Sequence, residues 1–306
     1  MPGAELVAEV ARVLELPRGE QLEAVRALQR ARPLEVDERW NTLFGEGSLY
    51  DAWSMTTVAG AIYPANRALL REGLSGRSGW RVVEVGGGDG RLWRGLPRDL
   101  RGELVLVDPS QEAHDAVRDA LPPGVALASV LAPVEAVALP DADAVLCSLT
   151  LHHVAGLSAG HRAAHGLLGT GKGEVLRAIA EALRSRAGLL LLNEADVFCD
   201  IDLPPGDPVL VDRILDSYLR RTGTSLLHDL ARRDPTPDLA RRWERILRQW
   251  CVDQVDVAWA PLAERDVYEL TVPRWRDLLA REGLSVVSGR FTDPYGLFYQ
   301  YAARPR

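Results

Sequence analysis

Residues 84–90, with the sequence EVGGGDG, hold four glycines within five positions and an acidic residue just before them. The segment follows an apolar run and precedes Leu92 and Trp93. Glycine has no side chain, so a glycine backbone can turn sharply and can approach a bound molecule closely. A plain tight turn without a ligand is the alternative, because a glycine motif needs a supporting structural context.

The glycine spacing separates two kinds of nucleotide site. A dinucleotide fingerprint needs a third glycine three residues after the second, and Arg91 stands at that position. A nicotinamide-dependent oxidoreductase is therefore disfavoured, and it is kept as an alternative function. The pattern that is present is E-x-G-x-G-x-G, formed by Glu84, Gly86, Gly88 and Gly90.

Four short apolar runs between residues 80 and 195 alternate with helix-like stretches, and they read WRVVEV, ELVLVD, DAVLCSLT and AGLLLLNEA. Continuous apolar runs are typical of parallel strands that are covered by helices on both faces. Towards the C-terminus, VPRWRDLLAREG predicts a helix, and LSVVSGRF-TDPYG-LFYQYAA predicts an antiparallel hairpin. The glycine segment then lies where the first strand turns into a first helix, whose unpaired N–H groups would add to ligand binding.

The segment from Glu84 to Gly90 resembles motif I of the class I S-adenosylmethionine-dependent methyltransferases. Two further matches follow in the order found in that family: ELVLVD ends in Asp108, and DADAVLCSLTLHHV is similar to the fourth motif. The resemblance covers about residues 80–195 and 272–303. It implies a Rossmann-like α/β fold with a seven-stranded, mostly parallel sheet that ends in an antiparallel hairpin.

The resemblance also implies S-adenosyl-L-methionine as the cofactor. It assigns Asp108 to the ribose hydroxyls, a role that acidic residues have at this point of nucleotide-binding α/β folds. The family commonly ends its third strand in Gly-Asp, whereas Ser129 and Val130 stand here, so adenine would be held by backbone groups and by apolar contact near Val130 and Leu131. The predicted cofactor-binding residues are Glu84, Gly86, Gly88, Gly90, Asp108, Pro109, Ser129, Val130 and Ser148.

Two histidines follow the fourth predicted strand, at the sheet edge where open α/β folds bind ligands. Methyl transfer from a sulfonium is an in-line displacement, and a general base is added when the acceptor carries a proton. His152, His153 and Glu194 are the predicted catalytic residues, with either histidine as the base and Glu194 reaching the same cleft after strand five. The alternative is that both histidines have structural roles, one packed in the protein and one hydrogen-bonded to a loop carbonyl. Asp196 is expected to be a solvated loop carboxylate.

Two other motifs carry weaker signals. HRAAH puts His161 and His165 at a helical spacing that can chelate a metal. Arg162 stands where the zinc-protease motif has glutamate, so no metal site is predicted. GLLGTGKG is similar to a phosphate-binding loop, but Gly173 replaces the required hydroxyl residue and no strand precedes it. We interpret that stretch as a loop before the helix EVLRAIAEALR.

Composition bounds the class of protein. The chain has 306 residues and a formal net charge of -7, with no basic stripe, so nucleic acid is a poor partner. Its three cysteines are odd in number and far apart, which indicates reduced thiols in the cytoplasm. No export signal and no membrane span are expected.

We predict a helical N-terminal segment over 1–75, a cofactor-binding core over 76–196 and 271–306, and a helical cap insertion over 197–270. The added helices are expected to form a lid that excludes water from the acceptor site. Aromatic residues that are candidates for lining an apolar acceptor pocket are Trp40, Tyr50, Trp53, Tyr63 and Tyr218. A homodimer through the helical segments is a further expectation.

The predicted function is S-adenosylmethionine-dependent methyl transfer to a small-molecule acceptor, at a nitrogen, oxygen or carbon atom, in specialised metabolism. Besides the oxidoreductase, one alternative from another class is kept. This alternative is a non-catalytic methyltransferase-like subunit that binds a partner protein through the helical additions. Such a subunit would be marked by a degraded cofactor loop, and the loop in this sequence is intact.

Overall fold

The computed structural model describes residues 2–17, 20–27 except 22 and 26, 49–77, 79–155, 158, 160, 170–197, 203–248, 261 and 268–306. Trp40 and the pair His161 and His165 lie outside these residues, as does the side chain of Tyr218. None of the described helices is both long enough and apolar enough to cross a membrane.

Seven strands form one sheet at the centre of the molecule. In chain order they are β1 (Trp80–Val85), β2 (Gly102–Val107), β3 (Val125–Val130), β4 (Ala144–Ser148), β5 (Leu189–Ala195), β6 (Leu284–Phe291) and β7 (Phe298–Pro305). Their order across the sheet is β3-β2-β1-β4-β5-β7-β6. β1 to β5 are parallel, whereas β7 runs antiparallel to β5 and to β6. The predicted fold class is confirmed.

Helices cover both faces of this sheet. In chain order the described α-helices are α1 (Pro2–Glu15), α2 (Leu49–Ser54), α3 (Ile62–Gly73), α4 (Gln111–Ala120), α5 (Thr170–Arg184), α6 (Pro208–Ile214), α7 (Thr224–Arg232), α8 (Pro237–Arg248) and α9 (Val272–Arg281). α3 and α4 share one buried cluster with the sheet, while α5 and α9 share the cluster on the other face. Burial on both faces explains why the central strands are continuously apolar.

The helices outside the sheet share a third buried cluster. It contains Val10 and Val13 of α1, Trp53 of α2 and Trp243 of α8, together with Phe298 at the start of β7. The indole N–H of Trp243 donates to the Ala52 carbonyl at 2.8 Å. The N-terminal helices and the insertion are therefore packed against each other and against the sheet, at the edge where β5 ends. The domain boundaries stay a prediction.

Two local predictions are wrong. β1 is followed by a single 3-10 turn, Trp93–Gly95, and not by a helix, because Gly95 and Pro97 both disfavour continued helix. The helix α5 begins at Thr170, so Lys172 and Gly173 lie in its first turn and not in a loop. Any ligand at the glycine segment must therefore meet the turn itself and not a helix N-terminus.

Candidate functional site

The glycine turn, residues 86–90, leaves β1 at the carboxyl edge of the sheet. Gly86, Gly88 and Gly90 have φ angles of 78°, 53° and 70°, in the left-handed region that favours glycine. A Cβ on Gly86 would collide with the Thr150 hydroxyl, and a Cβ on Gly90 would lie 2.7 Å from the Ala116 carbonyl oxygen. The fold itself therefore requires Gly86 and Gly90, in addition to any contact with a ligand.

Asp108, the residue after β2, holds this turn from the side. Its Oδ2 accepts from the Gly87 N–H at 2.9 Å and its Oδ1 accepts from the Ser110 N–H at 2.8 Å. The buried imidazole of His114 lies 3.0 Å from the Asp108 carbonyl oxygen and fixes the backbone there. A carboxylate has about four acceptor positions, so these two bonds leave capacity for ribose hydroxyls. The carboxylate and the bare turn together fit the ribose and the adjoining part of a nucleoside cofactor.

Glu84 faces the other way, into the protein. Its Oε2 accepts from the Trp93 indole N–H at 2.7 Å, which closes the turn onto β1. Burial raises the pKa of Glu84 to about 8; the Trp93 hydrogen bond opposes this shift, and the charges of Asp108 and Asp89 add to it. The carboxyl group is therefore mostly neutral at pH 7. Direct contact between Glu84 and the cofactor stays a prediction.

The predicted adenine side lies at the end of β3. Ser129 and Pro109 are exposed and Val130 is half-buried, while Leu131 keeps 56% of its surface exposed. An exposed leucine at this edge is consistent with apolar contact to a base. Ser148, at the end of β4, already accepts from the Asn66 side-chain amide at 3.0 Å. Binding of the cofactor by these residues stays a prediction.

His152 and Glu194 form a direct pair. Glu194 lies within β5, not after it, and is 1% exposed. Its Oε1 accepts from the backbone N–H groups of Thr150 and Leu151, at 3.1 and 2.7 Å. Its Oε2 lies 2.7 Å from Nδ1 of His152. Glu194 thus fixes the turn after β4 and orients the imidazole, and it is not itself a free base.

The pairing determines which nitrogen of His152 can act as a base. Nδ1–H donates to Glu194, so the lone pair of the neutral ring is on Nε2. Among the described residues none makes a hydrogen bond to Nε2, and the side chain keeps 13% of its surface exposed. Burial lowers the pKa of His152, and the charge of Lys172 lowers it further. The charge and hydrogen bond of Glu194, together with the charge of Glu269, have the larger effect, so the pKa is raised. His153 is exposed, and the centre of its ring lies 4.1 Å from the centre of the His152 ring.

Arg91 connects the glycine turn to the N-terminal helices, a role that sequence reasoning missed. Its guanidinium pairs with Asp89 at 2.6 Å and with Asp51 at 3.4 Å. It also lies 5.1 Å and 5.8 Å from the ring centres of Tyr50 and Tyr63. The sequence showed Arg91 only as a break in a glycine fingerprint, and nothing in the spacing of residues 50, 63 and 91 signals their contact.

The hydroxyls of Tyr50 and Tyr63 are in hydrogen-bond contact between α2 and α3. Burial raises the pKa of Tyr50 to about 12, opposed by the Tyr63 hydrogen bond and by Arg91, and assisted by Asp89. Burial also raises the pKa of Tyr63, well above its ordinary value. Both side chains are half-buried and stay protonated near pH 7, so they serve as hydrogen-bond donors and not as bases.

The remaining candidates take structural roles or lie beyond the described chain. Asp196 is not solvated: its Oδ1 accepts from the Val272 N–H at 2.7 Å, and its Oδ2 pairs with Arg221 at 3.2 Å. Trp53 is a core residue. Within the described ranges no group of three or more histidine, cysteine or acidic side chains could hold a metal ion.

The fold and the glycine turn define an α/β protein of the Rossmann-like type, with the candidate site at the carboxyl ends of β1 and β2. Residues 83–171 match the model of a family described as a methyltransferase domain, which is an enzyme domain. This match supports the predicted resemblance of the core to the class I S-adenosylmethionine-dependent methyltransferases. The cofactor of such a domain is S-adenosylmethionine.

The chain is similar to several solved structures. One is an O-methyltransferase family 2 protein from Planctomyces limnophilus, at 15% identity and a TM-score of 0.45, covering 85% of this chain and 62% of that one. Another is a 1,6-didemethyltoxoflavin-N1-methyltransferase from Burkholderia thailandensis, at 17% identity and a TM-score of 0.45, covering 84% and 81%. A methyltransferase from Methanosarcina mazei has 13% identity and a TM-score of 0.43, covering 78% and 96%. No curated protein matches the sequence.

Proposed function

We propose that the protein transfers a methyl group from S-adenosylmethionine to a small molecule whose nucleophilic atom carries a proton. The observation that supports this proposal is the arrangement at one sheet edge. There the glycine turn and Asp108 adjoin the turn after β4, which carries His152, the partner of Glu194 in β5, and lies against Gly86 through Thr150. Specialised metabolism, a cytoplasmic location and a homodimer stay predictions.

The cofactor end of the site is built from residues 86–90, Asp108 and Leu131. Its bound cofactor would supply an electrophilic methyl group on a sulfonium. The turn would meet the methionyl part with backbone groups, because Gly88 keeps its left-handed backbone without a side chain. The remaining lone pairs of Asp108 would accept from the ribose hydroxyls. Leu131 would cover one face of the base.

The acceptor end would be served by His152. Its Nε2 lone pair can take a proton from an N–H, O–H or activated C–H group while the methyl group is transferred. The buried Glu194 carboxylate keeps the ring in the tautomer that exposes this lone pair and stabilises the imidazolium that forms. His153 is the weaker candidate, since its side chain is exposed, whereas the His152 ring is held by the buried Glu194 carboxylate.

The acceptor pocket would lie between the sheet edge and the shared helical cluster. Tyr50, Tyr63 and Leu149 are partly buried against that cluster, on the side of α2 and α3. Leu149 has a φ angle of 53°, and a left-handed leucine costs on the order of 1 to 3 kcal/mol, a strain that is concentrated at functional sites. The helical cluster would close over the acceptor and exclude water.

The cofactor assignment can be tested at Asp108. Asp108→Ala should weaken the binding of S-adenosylhomocysteine by about 1.5 to 3 kcal/mol, the range for a hydrogen bond to a charged group. Calorimetric titration measures this difference. Asp108→Asn retains one acceptor oxygen, which protects the turn if the alanine variant is unstable.

Asp115→Ala is the matched control for this titration. Asp115 is a carboxylate of α4 that pairs with Arg118 and keeps 56% of its side-chain surface exposed. Its replacement should leave S-adenosylhomocysteine binding unchanged. If folded Asp108→Ala loses only a few tenths of a kcal/mol, the ribose assignment is wrong.

A further inference from the structure

Lys172 is the one lysine among the 36 lysine and arginine residues of the sequence, and its side chain is fully buried in the first turn of α5. Its ammonium donates to the Val154 carbonyl at 2.7 Å. It also lies 5.6 Å from the ring centre of the buried Tyr268. A charged group is costly to bury even when it is hydrogen-bonded, so a lysine at this position calls for a role that an apolar residue cannot fill.

The contacts of Lys172 with Val154 and Tyr268 both lead to the turn that carries His152. Val154 is the residue directly after the 3-10 turn Leu151–His153, and its N–H donates to the Leu151 carbonyl. Tyr268 donates its backbone N–H to the His152 carbonyl at 2.8 Å. The ammonium group therefore contacts Val154, which ends the turn, and Tyr268, which is hydrogen-bonded to the backbone of His152.

Among the described residues, the charges that act on the His152 imidazole are mostly negative. Glu194 from β5 contacts Nδ1, and Glu269, next to Tyr268, is 6% exposed. His153 lies against the ring from the same turn. Lys172 is the cation from α5 that acts on this group. Without Lys172, the two buried carboxylates would favour the imidazolium form of His152. The imidazolium has no lone pair that could take a proton from the methyl acceptor.

We propose that Lys172 is a positioning residue for His152, which fixes the turn under the imidazole and balances the charges of Glu194 and Glu269. This inference rests on the proposed role of His152 as the base. Arginine, used at every other cationic position of the sequence, is a planar, larger cation with a fixed fork of donors. A compact ammonium can instead donate to a single carbonyl while it lies against a tyrosine ring.

The pKa shifts around His152 agree with this geometry. Burial lowers the pKa of His152, the two glutamates raise it, and Lys172 lowers it. Removing the cation should therefore raise the pKa further, and removing the Glu269 charge should lower it. These opposite signs distinguish an electrostatic role of Lys172 from simple packing, which predicts no such pair of shifts.

The test is an NMR titration of the His152 ring in the full-length protein, with the signal assigned by its loss in His152→Gln. Lys172→Met should raise the His152 pKa by roughly one unit, the size expected for one nearby charge at partial burial. Glu269→Gln should lower it by a similar amount. Lys172→Arg, which keeps the cation, should restore the wild-type pKa at least in part.

The titration needs no acceptor, so it is independent of whether the protein transfers a methyl group. An unchanged His152 pKa in folded Lys172→Met would overturn the inference, and so would shifts of the same sign in Lys172→Met and Glu269→Gln. If Lys172→Met does not fold, Glu269→Gln and Lys172→Arg still test the inference. An unchanged His152 pKa in Glu269→Gln would contradict the proposed charge balance. Once an acceptor is known, the acid limb of the rate should move in the same directions.

Discussion

His152→Gln is expected to lower the turnover rate by roughly 10²- to 10⁴-fold, the contribution of a general base. Glutamine keeps a polar side chain that can still meet Glu194, but it cannot accept a proton near neutral pH. Affinity for S-adenosylhomocysteine should change little, because the described contacts of His152 are to Glu194, His153 and Tyr268 and not to the glycine turn. Single-turnover kinetics with the identified acceptor measure the loss.

The pH dependence of the same reaction has a defined sign. Only neutral His152 can take the proton, so the rate falls as pH drops through the His152 pKa. Since Glu194 and Glu269 raise that pKa, the acid limb should lie above the ordinary histidine value of about 6.5. It should disappear in His152→Gln.

His153→Gln is the matched control for this base. It changes the neighbouring, exposed imidazole and should retain a near wild-type rate and the acid limb. Near wild-type rates in both single variants, and in the double variant, would refute a histidine base. An acid limb that survives in His152→Gln would show that another group titrates.

Gly88→Ala is expected to weaken S-adenosylhomocysteine binding by more than about 100-fold, or about 2.7 kcal/mol. In the proposed site the bare backbone at Gly88 meets the methionyl part of the cofactor, and an added methyl group would prevent this close approach. Because φ is 53° at this glycine, alanine also strains the turn by roughly 1 to 2 kcal/mol. Calorimetry gives the affinity, and thermal unfolding gives the strain.

Gly76→Ala separates these two effects. Gly76 has a φ angle of 73°, and a Cβ there would meet no atom within 4 Å. It precedes β1 and so lies near the amino ends of the strands, away from the glycine turn. The Gly76→Ala variant should lose about as much stability as Gly88→Ala and should keep the wild-type affinity for S-adenosylhomocysteine. Equal affinities in Gly88→Ala and the wild type would mean that the cofactor does not contact the turn at Gly88.

The sheet and its glycine turn could be predicted because their signals are local. Continuous apolar runs are required of strands that are buried on both faces, and a turn with three left-handed positions selects glycine in the sequence itself. The helix predicted after β1 does not form, and the reason is equally local: Gly95 and Pro97 lie where its second turn would be. The alternation of strands and helices favours a helix at this place, but these two residues disfavour it.

The pairings of the site could not be predicted, because they join residues far apart in the sequence. Glu194 meets His152 across 42 positions, and Asp51 meets Arg91 across 40. The sequence predicts a loop at Lys172, whereas the structure has Lys172 in the first turn of α5, in contact with Val154 and Tyr268. Such contacts depend on how the elements pack, which spacing alone does not encode.

The most direct test of the cofactor assignment is a pair of titrations on the wild-type protein, one with S-adenosylhomocysteine and one with NAD. S-adenosylhomocysteine should bind at one site per chain, and NAD should compete only weakly, because Arg91 stands where the dinucleotide fingerprint needs a glycine. Tight NAD binding with no heat from S-adenosylhomocysteine would contradict methyl transfer and favour an oxidoreductase.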